Sequence, residues 1–186
     1  AALLVISSGQ QESNIFDILE DIKPVRGRME LAATRKNGAT VYVDYAHTPD
    51  AIEVALKSLK PHILGKLIVI IGAGGERDEG KRPLMGAAAE KNSDFVIITD
   101  DNPRNEDPSS IHQMIKNGIQ DNSKVTVIAD RAEAILTAVD LLEEGDGLLI
   151  AGKGHETEQF IGENIFPFDD FEQASLSAAS LDGAEQ

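Results

Sequence analysis

The sequence has no cysteine and no tryptophan. Without thiols, disulfides and thiolate metal sites are both excluded. No set of His and acidic residues shows metal-ligand spacing either. No apolar run approaches the ~20 residues of a membrane-spanning helix. The opening AALLVI is too short for a secretory core and has no basic flank, so the default compartment is the cytoplasm. Bases are scarce, 17 Lys and Arg against 32 Asp and Glu, for a formal charge of −15. That balance argues against a nucleic-acid partner, whose phosphates attract net positive protein. It fits a solvated acidic surface.

What is present is a chain of 186 residues, 41% hydrophobic. That is one domain or slightly more, at roughly 150 residues per domain. The chain opens at Ala1 without an initiator Met and enters apolar sequence directly, as a piece of a longer protein would.

The periodicity predicts one or two helices over Ala1–Ile22, ended by Pro24. Arg28–Arg35 and Thr40–Asp44 flank Asn37-Gly38 and read as a small β-hairpin. A regular alternation follows. Helices are predicted over Pro49–Leu59, Arg82–Lys91, Ser109–Ile119 and Asp130–Glu143, and a last one from Asp169. Between them lie short apolar runs, Leu67–Ile71, Phe95–Thr99, Val125–Ile128 and Gly147–Ala151. Such runs, bounded by Gly or turn residues, mark strands buried on both faces of a parallel sheet. A second β pair is expected near Phe160 and Ile165. The fold class is therefore α/β, Rossmann-like, with a mostly parallel sheet flanked by helices. In such sheets ligands sit beyond the carboxyl ends of the strands. That rule selects the loops Asp44–Asp50, Gly72–Lys81, Asp100–Pro108 and Gly152–Thr157. The Asp130-Arg131 loop reads as an ordinary helix start.

The second of these loops reads GAGGERDEGKR. From Gly75 it matches G-x-x-x-x-G-K, but Arg82 stands where a phosphate loop needs Ser or Thr to reach Mg²⁺. Glu76, Asp78 and Glu79 would also oppose a triphosphate. The dinucleotide fingerprint fails for want of its third Gly. Two readings stay open: a flexible turn with Arg77 and Lys81 exposed, or a site where Arg77 grips a carboxylate. The loop TDDNPRNEDP sets Asp101, Asn102 and Arg104 together at a strand end. Asp100 or Asp107 can be explained as turn caps. Arg104 among so many acids suits a zwitterionic ligand. AGKGHETEQ contributes Gly152, Lys153 and Glu156, with His155 more ordinarily structural. His62 and His112 read as surface residues. In DYAHTPD, Thr48, Pro49 and Asp50 form a helix entry. Asp44 could hold ribose hydroxyls, and Tyr45 or His47 could stack on a base.

Taken in order, DYAHTPD, GGERDEGKRPLMG, DDNPRNEDP and AGKGHE resemble the C-terminal domain of the Mur ligases over about residues 24–175. Within that family the DNPR run resembles members that add meso-diaminopimelate to UDP-N-acetylmuramoyl-L-alanyl-D-glutamate, whereas lysine-adding members differ there. The resemblance implies that residues 1–23 end a preceding ATPase domain and that residues 24–186 form the C-terminal domain. It implies that Arg77, Asn102 and Arg104 meet the carboxylates of the amino acid, that Asp101 shapes the pocket, and that Gly152 and Glu156 hold the distal ammonium. It implies that Arg28 and Asp44 hold the ATP ribose, with His47 near the nucleotide. ATP and Mg²⁺ would be the cofactors, the metal held mainly by the central domain. The UDP-linked dipeptide would be bound by the other domains as well. This chain alone is expected to be inactive. Alternatives are the related domain of a lysine-adding, folylpolyglutamate or cyanophycin ligase, or a stand-alone amino-acid-binding module.

Overall fold

A computed structural model describes residues 25–183. The helices expected over Ala1–Ile22 and the expected domain boundary at residue 24 lie outside the described residues.

The hairpin forms as β1 (Glu30–Thr34) and β2 (Thr40–Asp44), paired antiparallel. Then come α1 (Pro49–Leu59), β3 (Leu67–Ile71), α2 (Lys81–Asn92), β4 (Phe95–Ile98), α3 (Pro108–Lys116), β5 (Val125–Val127), α4 (Arg131–Asp140) and β6 (Gly147–Ala151). A second two-stranded sheet, β7 (Glu158–Ile161) and β8 (Asn164–Pro167), precedes α5 (Asp170–Leu181). Each expected element of the described region is present, with ends shifted by up to three residues. The expected Phe160–Ile165 pairing is a register pair of β7 and β8.

The main sheet runs β1-β2-β6-β3-β4-β5, and every pairing after the first is parallel. β6 inserts between β2 and β3 although it is the last strand of this sheet in chain order. The crossover from β2 through α1 therefore passes over β6, and the chain reverses direction across the sheet. Side chains of a strand alternate faces. Leu67, Val69 and Ile71 pack with Ile52 and Leu56 of α1, Met85 and Ala89 of α2, and Ile115 of α3. Ile68 and Ile70 pack on the other face with Ile135 and Val139 of α4 and Ala174 of α5. All five residues of β3 are buried, which is why its sequence is continuously apolar rather than alternating. Burying a Val, Leu or Ile side chain stabilises by about 1.5–3 kcal/mol.

Helix entries follow their local chemistry. Thr48 caps α1, accepting from Ala51 N at 3.3 Å, and Pro49 occupies the first turn. Asp130 caps α4, accepting from Glu133 N at 2.8 Å. Asp169 is the N-cap of α5, accepting from Phe171 N at 2.9 Å, rather than its first residue. Among the described residues no helix is long and apolar enough to cross a membrane.

Candidate functional site

Because β2, β6, β3 and β4 are parallel, their carboxyl ends lie along one edge. The loops that leave that edge enclose a cavity of about 210 Å³. Its wall includes Arg77, Asp101, Asn102, Arg104, Gly152 and Glu156, together with His47, Tyr45 and Lys81. All six residues expected to meet an amino acid thus share one cavity. Of the three expected on the nucleotide side, His47 reaches it, and Arg28 and Asp44 lie outside it.

Two loops form the near wall back to back. Gly75 N donates to the Asn102 carbonyl at 2.9 Å. A Cβ at Gly75 would sit 1.9 Å from the Pro103 carbonyl oxygen, so only glycine permits this approach. Arg104 has φ +53° and donates from Nη1 to Gly75 O at 2.9 Å and Asn102 O at 3.3 Å. Its backbone also bridges to β7, donating to Phe160 O at 3.0 Å and accepting from Gly162 N at 2.7 Å. Arg104 is therefore pinned at its backbone and at one guanidinium nitrogen, leaving the rest of the fork for a ligand. Arg77 is exposed, with no hydrogen-bond partner among the described residues.

Beneath these loops Arg82 is fully buried. Its Nη2 donates to Glu106 Oε2 at 2.7 Å and to Gly74 O at 3.3 Å, and its Nη1 pairs with Glu106 Oε1. Glu106 also accepts from Glu76 N at 3.0 Å. The Arg82 hydrogen bond holds the Glu106 carboxyl below the ordinary range, against the opposing effect of burial. So the residue occupying the hydroxyl position of a phosphate loop is a clamp between two loops. The resemblance to a phosphate loop is a coincidence of spacing.

The far wall rests on Asn102, Lys153 and Glu156. Asn102 Nδ2 donates to Glu156 Oε2 at 3.0 Å. Lys153 Nζ donates to Asn102 Oδ1 at 3.1 Å, Glu156 Oε2 at 3.3 Å and Glu158 O at 2.6 Å. Gly152 has φ +120°, and a Cβ there would lie 2.8 Å from Asp101 Oδ2. Glycine thus sets how closely β6's loop approaches the Asp101 carboxylate.

Opposite lies a cluster of rings. Arg28 Cζ sits 4.3 Å from the Tyr45 ring centroid, a cation–π contact. Tyr45 meets His47 at 4.6 Å and His155 at 5.3 Å between centroids. Lys81 Nζ donates to the His47 carbonyl at 3.0 Å, joining this cluster to the cavity. Asp44 accepts from Met29 N at 2.7 Å and Ala46 N at 2.8 Å. Each of its oxygens keeps a second lone pair.

Three sequence readings are corrected. His112 is buried, not on the surface, with 7% exposure, and its Nε2 lies 2.7 Å from Asp100 Oδ1. Both atoms are buried, and neither has another hydrogen-bond partner among the described residues. The signal was present, since Ile111 and Ile115 of α3 face the core beside it. Lys153 is not a cation facing ligand but is buried behind the wall. Arg131, taken as part of an ordinary helix start, is fully buried. It forks onto Asp170 at 2.7 and 2.8 Å and donates to Asp100 O at 3.2 Å and Ala151 O at 3.1 Å. Burial opposes its charge, but Asp170 beside it outweighs that and holds its pKa above the ordinary value. Asp170 is 39 residues away, so no local signal marks the pair.

Among the described residues no group of three or more His, Asp or Glu side chains could hold a metal ion. The cavity instead presents three cations, Arg77, Lys81 and Arg104, and two carboxylates, Asp101 and Glu156. It is matched to a small ligand carrying both signs of charge.

Comparison with known proteins identifies the family. The profile of the Mur ligase glutamate ligase domain matches residues 27–154. The UDP-N-acetylmuramoyl-L-alanyl-D-glutamate–2,6-diaminopimelate ligase of Bradyrhizobium diazoefficiens is 48% identical over 180 residues, 97% of this chain and 36% of that protein. The ligase of the same description from Synechococcus elongatus is 50% identical over 167 residues, 90% of this chain and 34% of that protein. A solved structure of a ligase so described superposes with a TM-score of 0.80 at 38% identity, covering 97% of this chain and 37% of the other. The chain thus spans about a third of the length of these relatives. It belongs to the Mur ligase family and contains that family's C-terminal, glutamate ligase domain.

Proposed function

We propose that this domain binds meso-diaminopimelate and delivers its amine in an ATP-dependent ligase that extends UDP-N-acetylmuramoyl-L-alanyl-D-glutamate. The observation that carries the reading is the cavity in which Arg77, Arg104, Asn102 and Glu156 converge. The relatives that share the chain's sequence bear 2,6-diaminopimelate in their names.

The amino acid has two carboxylates and two amines. Arg104 and Asn102 take the distal carboxylate, with Arg77 closing from the exposed loop. Gly152, through its carbonyl, and Glu156 take the distal ammonium. The nearer amine then faces the open side of the cavity. A cavity of about 210 Å³ is smaller than the ~300–1,000 Å³ that houses larger organic ligands. That disfavours a folate in this cavity.

ATP supplies a phosphoryl group that activates the acceptor's side-chain carboxylate as an acyl phosphate. The amine nitrogen then attacks the acyl carbon, the nitrogen's proton leaves, and inorganic phosphate departs. Such chemistry is mostly positioning and charge stabilisation. On the nucleotide side, Asp44 and Arg28 hold the ribose, and His47 lies beside it. No magnesium ligands are assigned to this domain, and the central domain holds that ion. The assembled enzyme works in the cytoplasm. Domain closure brings the two substrates together and excludes water.

The test is an amide-shift titration of the domain by NMR with meso-diaminopimelate. Shifts centred on Arg77, Asn102, Arg104 and Glu156 are expected. Binding with shifts elsewhere, or none at millimolar ligand, would overturn the assignment.

A further inference from the structure

Behind the cavity wall lies a buried cation. Lys153 has 0% exposure and does not line the cavity. A buried lysine is tolerated only when its ammonium is fully hydrogen-bonded. Lys153 meets that condition, with three acceptors, Asn102 Oδ1, Glu156 Oε2 and Glu158 O, for its three hydrogens.

The partners are the informative part. Asn102 Oδ1 accepts from Lys153 Nζ and from Phe160 N at 3.0 Å, which fills its two lone pairs. The amide is thereby oriented with Nδ2 toward Glu156 and the cavity. One Nδ2 hydrogen goes to Glu156, leaving the other for a ligand carboxylate. Glu156 Oε2 accepts both Asn102 Nδ2 and Lys153 Nζ. Its Oε1 is the oxygen left to meet a ligand ammonium. One buried cation therefore sets the direction of a donor for carboxylate and an acceptor for ammonium at the same end of the cavity.

We propose that Lys153 is a positioning residue for amino-acid recognition, acting through Asn102 and Glu156. The proposal rests on the amino-acid-binding reading above. It carries a chemical consequence. Lys153 occupies Glu156 Oε2, so the carboxylate meets an ammonium through Oε1. A ligand with a carboxylate and an ammonium on one carbon is matched. A ligand with the ammonium alone leaves Asn102 Nδ2 and Arg104 without acceptors.

The test uses the full-length ligase and a four-way comparison of wild type, Lys153→Met, Glu156→Gln and the double variant. The readouts are the KM for meso-diaminopimelate, the KM for ATP and kcat. In an otherwise wild-type background, Lys153→Met is expected to raise the diaminopimelate KM by about 10–100-fold, the usual scale for a residue that orients a ligand-binding group. The ATP KM should stay within about twofold. In the Glu156→Gln background the same change should raise KM by clearly less than in wild type, because the route through Glu156 is already lost and only that through Asn102 remains. An equal effect in both backgrounds, or parallel changes in both KM values, would show a merely structural role and overturn the proposal. Should Lys153→Met not accumulate as folded protein, Lys153→Gln, which keeps two donors, is read by the same comparison. The two readings fail separately. Wild-type enzyme that does not use meso-diaminopimelate overturns the substrate reading. Wild-type enzyme that uses it, with KM indifferent to Lys153, overturns the Lys153 assignment alone.

Discussion

Arg104 donates to the carbonyl of Gly75 at 2.9 Å across two loops that leave different strands. The guanidinium is thus fixed before any ligand arrives, which lowers the entropy lost on binding. Replacing Arg104 by Ala removes a preorganised carboxylate partner. The expected cost is about 3–4 kcal/mol, or 10²–10³-fold in kcat/KM for diaminopimelate at about 1.4 kcal/mol per decade. ATP binding should be little changed.

The same residue sits at φ +53°. Left-handed backbone costs a residue with a Cβ about 1–2 kcal/mol, and glycine almost nothing. Arg104→Gly should therefore be more stable than Arg104→Ala by about 1 kcal/mol while losing the same activity. Paired denaturation curves read the difference directly.

The Arg82–Glu106 clamp predicts a pH dependence. Glu106 titrates below its unfolded value of about 4.3 because Arg82 hydrogen-bonds its ionised form. A depressed folded value means that the stabilisation is present above about pH 4.3 and lost as pH falls through the lower folded value. Thermal unfolding between about pH 5 and 3 should therefore be flatter in Glu106→Gln than in wild type. Some slope should remain, since Asp107 and Asp121 are also held low by their serine hydrogen bonds. Arg82→Met should destabilise at neutral pH by about 2–3 kcal/mol, less than a fully buried pair because Glu106 is partly exposed.

Arg131 and Asp170 are both fully buried. Asp170→Ala leaves an unpaired cation and should cost about 3–5 kcal/mol in a denaturant titration. Adding Arg131→Met to it should recover much of that loss, because an apolar pair removes the desolvation cost. Recovered stability without recovered activity is expected, since Arg131 also holds the carbonyls of Asp100 and Ala151 at the cavity's edge.

The strands and helices were legible because each buried strand is a short apolar run and each helix start carries its own cap. Leu67–Ile71 and Thr48-Pro49 are examples. Loop order and strand polarity then placed Arg77, Asn102, Arg104 and Glu156 at one edge. What escaped was non-local. Arg131 finds Asp170 from a distant helix, and Arg82 finds Glu106 across two loops. Lys153 looked like one more cation of a glycine loop, because nothing local says that β7 will fold over it. His112 could have been read better, since it neighbours the apolar stripe of α3. Helix α3 stops at Lys116, short of the expected Ile119, because Asn117-Gly118 ends it.

On the proposed reading, this cavity selects an amino acid by its distal carboxylate through Arg104. The most direct measurement is the ratio of kcat/KM for meso-diaminopimelate to that for L-lysine, in the full-length ligase and in Arg104→Ala. Lysine would leave Arg104 desolvated without a partner, a mismatch that reaches about 10⁴–10⁵ in discrimination. A wild-type ratio of at least about 10³ is expected, collapsing toward unity in the variant. A wild-type ratio near unity, or a large ratio that survives the loss of Arg104, would contradict it.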